Sequence, residues 1–120
     1  MKQMLLPIQN MRNFTEALHN MGSIGGGTQD IDFTIANVVT GTVDTSTTTF
    51  TFSNVPSTGV SSLTLILTNG GSQTVNWPAS VKWGGGTAPT LTSAGIDVLT
   101  FITPDGGTTF YGMTGGLNFS

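Results

Sequence analysis

The chain has 120 residues, no cysteine, only 8% Asp, Glu, Lys and Arg, and a net charge of −3. That length suits one domain of ordinary size, and the lack of cysteine excludes disulfides, thiolate nucleophiles and cysteine-based zinc sites. Soluble domains average about 25% charged residues; here Lys2, Arg12 and Lys82 are the only basic side chains, so nucleic acid is not expected as a partner.

Twenty-two threonines and 17 glycines leave solubility to hydroxyls and backbone. A surface that neutral favours association with other proteins, and the chain reads as one made to be assembled.

The N-terminal stretch follows a helical period. Its apolar run is interrupted by Pro7 and followed by Arg12 and Glu16, too short for a signal-peptide core. No apolar stretch approaches the roughly 20 residues of a membrane span. A soluble protein made in the cytosol, without membrane insertion, is the expectation. Met4, Ile8, Met11, Phe14, Leu18 and Met21 recur at spacings of three and four, which places them on one stripe of a helix. Asn13-Phe14-Thr15-Glu16 has the form of a capping box and Gly22 that of a helix stop. The spacing predicts a short helix over Phe14–Met21, extendable back to Pro7, whose stripe docks on a partner or on sister subunits. Gly22 to Gly27 then reads as a hinge. The chain divides into 1–27, an anchor helix and Gly-rich hinge, and 28–120, a β domain.

From Gln29 onward the period is two. Ile31, Phe33 and Ile35 alternate with Asp32 and Thr34; Phe50 and Phe52 with threonines; Leu63, Leu65 and Leu67 with Thr64, Ile66 and Thr68. Val75 and Trp77, Val81 and Trp83, Leu99 and Phe101, and Phe110 continue the pattern. Threonine suits the wet face of a strand. Turn clusters stand between the runs at Asn54 to Gly59, Asn69-Gly70-Gly71, Gly84-Gly85-Gly86 and Asp105-Gly106-Gly107. Asn-Gly and Asp-Gly favour tight hairpins, so Leu63–Thr68 is expected to pair with Gln73–Trp77, and Val98–Thr103 with Thr108–Gly112. The fold class expected is all-β, an antiparallel β-sandwich or jelly-roll-like domain with a short N-terminal helix.

Candidate chemistry is sparse. The one histidine, His19, falls on the expected helix, outside the β domain, where a solvated role suits it better than that of a base. No nucleophile elbow, P-loop or dinucleotide fingerprint occurs, so an enzyme is not expected and no cofactor is implied. The carboxylates Asp30, Asp32, Asp44, Asp97 and Asp105 are weighed as a catalytic pair or a hard-cation site. Asp30 and Asp32 share a strand face and are the candidates for calcium. Asp105 leads a turn where Asp is expected for backbone reasons, and Asp97 stands at a strand start. Trp77, Trp83 and Tyr111 have three readings: core plugs, a subunit interface, or a platform for sugar rings.

Residues 77 to 112 carry a resemblance. Trp77-Pro78-Ala79-Ser80-Val81-Lys82-Trp83, the run Gly85 to Thr92, Asp97 to Phe101, and Asp105-Gly106-Gly107-Thr108-Thr109-Phe110-Tyr111-Gly112 resemble a module of tailed-bacteriophage virion proteins. The runs Thr48 to Asn54 and Leu63 to Thr68 resemble its first half, so the likeness covers about residues 28 to 117. Where the family often carries Trp-Tyr, this chain has Phe110-Tyr111. The module commonly ends fibre-like or structural chains of the particle, and no catalytic motif comes with it. The resemblance implies a non-enzymatic virion structural protein, a short tail fibre or baseplate-attached protein with other virion proteins as partners. It would be a homo-oligomer, a trimer by the habit of fibres, located in the virion after synthesis in the host cytoplasm. Two alternatives stay open: a capsid decoration protein stabilising the head, and a glycan-binding module for host surface polysaccharide.

Overall fold

The computed structural model describes residues 15–120. Nine strands make up the domain: β1 Leu18–Ile24, β2 Gly27–Asp32, β3 Val38–Val43, β4 Thr48–Ser53, β5 Ser61–Thr68, β6 Val75–Asn76, β7 Val81–Trp83, β8 Ile96–Thr103 and β9 Phe110–Phe119. They form a six-stranded sheet in the order β1-β3-β5-β8-β9-β7 and a three-stranded sheet in the order β2-β4-β6. Among the described residues the all-β expectation holds. The antiparallel one does not, because the six-stranded sheet is mixed and the three-stranded sheet is parallel.

From β1 to β6 the chain crosses to the other sheet after every strand. Each strand therefore returns beside, and parallel to, the one laid down two strands earlier. Leu18 lies opposite Val38 and Gly27 opposite Thr48. One turn later Val38 lies opposite Thr64, and Thr48 opposite Val75. Parallel neighbours need a crossover connection, usually a helix; here the strand of the facing sheet supplies it. Only the last part of the chain stays in one sheet: β8 runs antiparallel to β5, β9 antiparallel to β8, and β7 parallel to β9.

Alternation along each strand sends one side chain in two into the space between the sheets. Val39, Val43, Phe50, Leu63, Leu65, Leu67, Leu99 and Phe101 are buried there. Most strand threonines stand on the other face, as expected of β-branched polar residues, whereas Thr48 and Thr103 fall in the inward phase and are buried.

Two local expectations are corrected. No α-helix occurs among the described residues, and the segment expected to end a helix at Met21 is β1. Leu18 and Met21 belong to this strand; Leu18 is 63% exposed while Met21 is partly buried against the core. Met4, Ile8, Met11 and Phe14, the rest of the stripe, lie outside the described residues. The physical reason is competition: a helix this short is marginal on its own, whereas β3 offers Leu18, His19 and Asn20 a ladder. Gly22 has φ 72 but serves an irregularity in that ladder between Asn20 and Ser23 rather than a helix stop. The Asn20 side chain accepts from its N–H at 2.9 Å. The 22–27 segment, expected as a hinge, ends β1 and turns into β2, with Gly26 N–H donating to Thr47 at 2.9 Å.

β5 also departs from its expected pairing. Its partners are β3 and β8, not the segment after Asn69-Gly70-Gly71. That turn, with Asn69 at φ 58, carries the chain to the other sheet, where Val75 and Asn76 pair with β4. The second expected hairpin does form: Phe101 faces Gly112 and Ile102 faces Tyr111 across β8 and β9.

Two substitutions probe this packing. A Cβ on Gly112 would lie 2.9 Å from the Trp83 ring and 3.0 Å from Val81, so Gly112→Ala is expected to cost about 1–3 kcal/mol in denaturant unfolding. Thr48 is fully buried and its hydroxyl has no hydrogen-bond partner. Thr48→Val removes an unsatisfied polar group at nearly constant volume and is expected to stabilise by about 1 kcal/mol, read as a raised melting temperature.

Candidate functional site

The aromatic residues singled out in the sequence separate into two environments. Trp77 follows β6 and lies over Phe50, ring centroids 5.3 Å apart and planes 16° from parallel. Val81 N–H donates to Pro78 C=O at 3.0 Å, closing the turn that brings the chain into β7. Trp83 then meets Trp77 edge-on at 5.3 Å, and both rings contact Phe101. Phe52 extends the cluster to Phe101 and Phe110. The two tryptophans are thus half-buried parts of the inter-sheet packing.

Tyr111 points the other way. It lies opposite Lys82, while Trp83 lies opposite Gly112, so strand alternation puts Tyr111 on the outer face of the large sheet, where it is 49% exposed. The three aromatics do not share one platform. Around Tyr111 that face carries Val38, Thr40, Thr64, Ile66, Val98, Thr100 and Ile102, and within its strands Lys82 is the one charged side chain.

An open cleft of about 430 Å³ runs beside Trp83. Its walls include Trp83, Pro89, Met113 and Leu117, its polar groups Thr87, Thr90 and Thr114, and none of its lining residues is charged. It exists because β9 continues to Phe119 while its neighbour β7 stops at Trp83, opposite Gly112. A much smaller recess at the first turn of the coil is lined by His19, Met21, Asp30, Ile31, Asp32, Ile35 and Val39. Sequence reasoning singled out Trp83 but not the rest of the cleft; no periodicity marks where one strand outruns another.

The carboxylates are committed to the fold. Asp30 accepts from the hydroxyls of Thr51 and Ser53 across to β4. Asp32 accepts from its own turn, Thr34 N–H at 2.8 Å and Thr34 hydroxyl at 2.6 Å, which lowers its pKa. Asp44 accepts from the Ser23 hydroxyl. Asp105 closes the β8–β9 turn, accepting from Thr109 N–H at 2.9 Å and the Thr103 hydroxyl at 3.0 Å. Among the described residues no three His, Asp or Glu side chains converge as metal ligands.

Asp97 is the unexpected one. It is fully buried and receives Thr92 N–H at 2.7 Å, the Thr92 hydroxyl at 2.7 Å and Asn118 N–H at 2.9 Å. Burial pushes its pKa up, but these donors outweigh burial and hold it below the ordinary carboxylate value. The carboxylate ties the loop before β8 to the end of β9.

Since the folded pKa of Asp97 lies below its unfolded value of about 3.9, the stability it contributes is full above that pH and is lost as pH falls below it. Asp97→Asn is expected to cost about 2 kcal/mol at neutral pH and to flatten this acid limb, measured by urea unfolding from pH 7 to pH 2. Among the aromatics, Trp77→Ala is expected to destabilise by about 3 kcal/mol and Tyr111→Ala by about 1 kcal/mol or less in the same assay.

Comparison with protein-family models, with curated proteins and with solved structures finds no match to this chain.

Proposed function

We propose that this chain is a non-enzymatic structural protein of a tailed-bacteriophage particle, a short tail fibre or baseplate-attached protein. In this reading the N-terminal segment docks on the particle and the β domain faces outward for host contact. The observation that carries it is how the virion-like residues are used. Trp77, Trp83, Phe101, Phe110 and Gly112 serve inter-sheet packing, Asp105 closes a hairpin and Asp97 staples the end of β9. A motif spent on packing and turns specifies a shape, which suits a structural module better than a reactive one.

Subunit association follows from the same chemistry. The outer face of the large sheet is broad, rich in hydroxyls and aliphatic groups, and nearly free of charge. Such a surface buries against its own copy with only Lys82 as a charge to desolvate, and a homotrimer about one axis fits a fibre.

Immunogold electron microscopy with antibody against this chain is expected to label the tail end of intact particles. Label spread over the head would favour a decoration protein instead, and unlabelled particles would end the virion reading. For the isolated protein, light scattering is expected to give a trimer whose mass is unchanged between about 0.05 and 1 M salt, because few charges exist for salt to screen. Dissociation at high salt would sink that account of the interface.

A further inference from the structure

We propose that the cleft beside Trp83 binds a neutral saccharide. The inference deepens the host-contact reading above and rests on it for its biological setting, while the chemistry comes from the cleft itself. Its volume of about 430 Å³ falls in the range of small-ligand sites. The Trp83 ring is held in place before any ligand arrives, by Trp77 at 5.3 Å, by Phe101 at 5.5 Å and by the backbone of Gly112. A fixed aromatic surface offers apolar area to the C–H face of a sugar ring with little ordering cost.

The polar half of the match comes from β9. Phe110 N–H donates to Ser80 C=O, so alternate residues of β9 turn their backbone groups toward the β7 side. Thr114 is in that phase, but β7 has ended two residues earlier, at Trp83 opposite Gly112. Its N–H and C=O therefore face the cleft with no strand opposite, beside the hydroxyls of Thr87, Thr90 and Thr114. Donors and acceptors next to an aromatic wall are what a polyhydroxyl ring requires.

Two features narrow the ligand class. No lining residue is charged, so an acidic sugar, a phosphorylated ligand or a charged peptide would give up hydration without gaining a counter-charge. An extended peptide added as a strand would need a longer regular edge, and the β8–β9 ladder shifts register between Leu99 and Val98, just past Thr114. The backbone groups of Thr114 alone are too few for a strand ladder and suffice for hydrogen bonds to a sugar ring.

The test is a two-dimensional 1H–15N NMR titration of the full chain with neutral di- and trisaccharides of glucose, galactose, mannose and N-acetylglucosamine. At least one is expected to move the Trp83 indole N–H and the amides of Gly84, Gly112 and Thr114, with saturation below about 10 mM. Trp83→Leu is expected to abolish the response and Trp83→Phe to weaken it about tenfold or more. Should Trp83→Leu fail to fold, Thr114→Arg at an exposed position obstructs the cleft and is expected to remove binding with unchanged melting. The proposal is overturned if none of these saccharides moves the cleft signals, if the moved signals cluster around Tyr111 instead, or if an uncharged peptide binds the cleft where no saccharide does. Labelled particles with a silent cleft would sink this inference alone, and saccharide binding without particle label would sink the virion reading alone.

Discussion

The contact between Phe50, Phe52 and Trp77 on one side and Phe101, Phe110 and Trp83 on the other holds the two sheets together. The three-stranded sheet depends on it. Its strands are parallel, β6 contributes only Val75 and Asn76, and parallel sheets are stable when their faces are covered. Edge-to-face and offset ring pairs add about 0.5–1.5 kcal/mol each beyond the area they bury. The coil winds between two sheets that would otherwise part, and these rings hold them at packing distance.

The same contact shapes the surface. Trp83 packs in the cluster and also lines the cleft, so the core fixes the position of this half-buried aromatic group. Gly112 lets the Trp83 ring lie directly on β9, and Asp97 anchors the strand further along. What is left for interaction is a nearly uncharged sheet face and a nearly uncharged cleft. With few charges in the chain, what these surfaces present is shape, hydroxyls and apolar groups.

Much of the domain was legible in the period-two alternation. The inward set of Leu63, Leu65, Leu67, Leu99 and Phe101 reads directly from it, because strand geometry admits no other assignment once one face is buried. The Asp105-Gly106-Gly107 hairpin was legible for a local reason: the Asp side chain and the glycines close it with bonds that stay within the turn. The Asn69-Gly70-Gly71 turn looks much the same in sequence but leads to the facing sheet, since which strand follows depends on partners far along the chain. Leu18 and Met21 were misread because a helical spacing over so few residues is outweighed by a ladder to β3.

The candidate site divides in the same way. Trp83 was visible as an aromatic residue of interest, and Tyr111 was visible beside it only in the list of types. The parity of β9 then set them on opposite faces, and the three-residue length of β7 opened a cleft under one of them. By itself the sequence determined the β class, the buried stripe, the local turn and the scarcity of charge, because these follow from composition and from periods within single strands. The parallel coil, the buried Asp97 and the cleft were decided only by the tertiary structure. Each depends on which distant strands lie side by side and on where one of them ends.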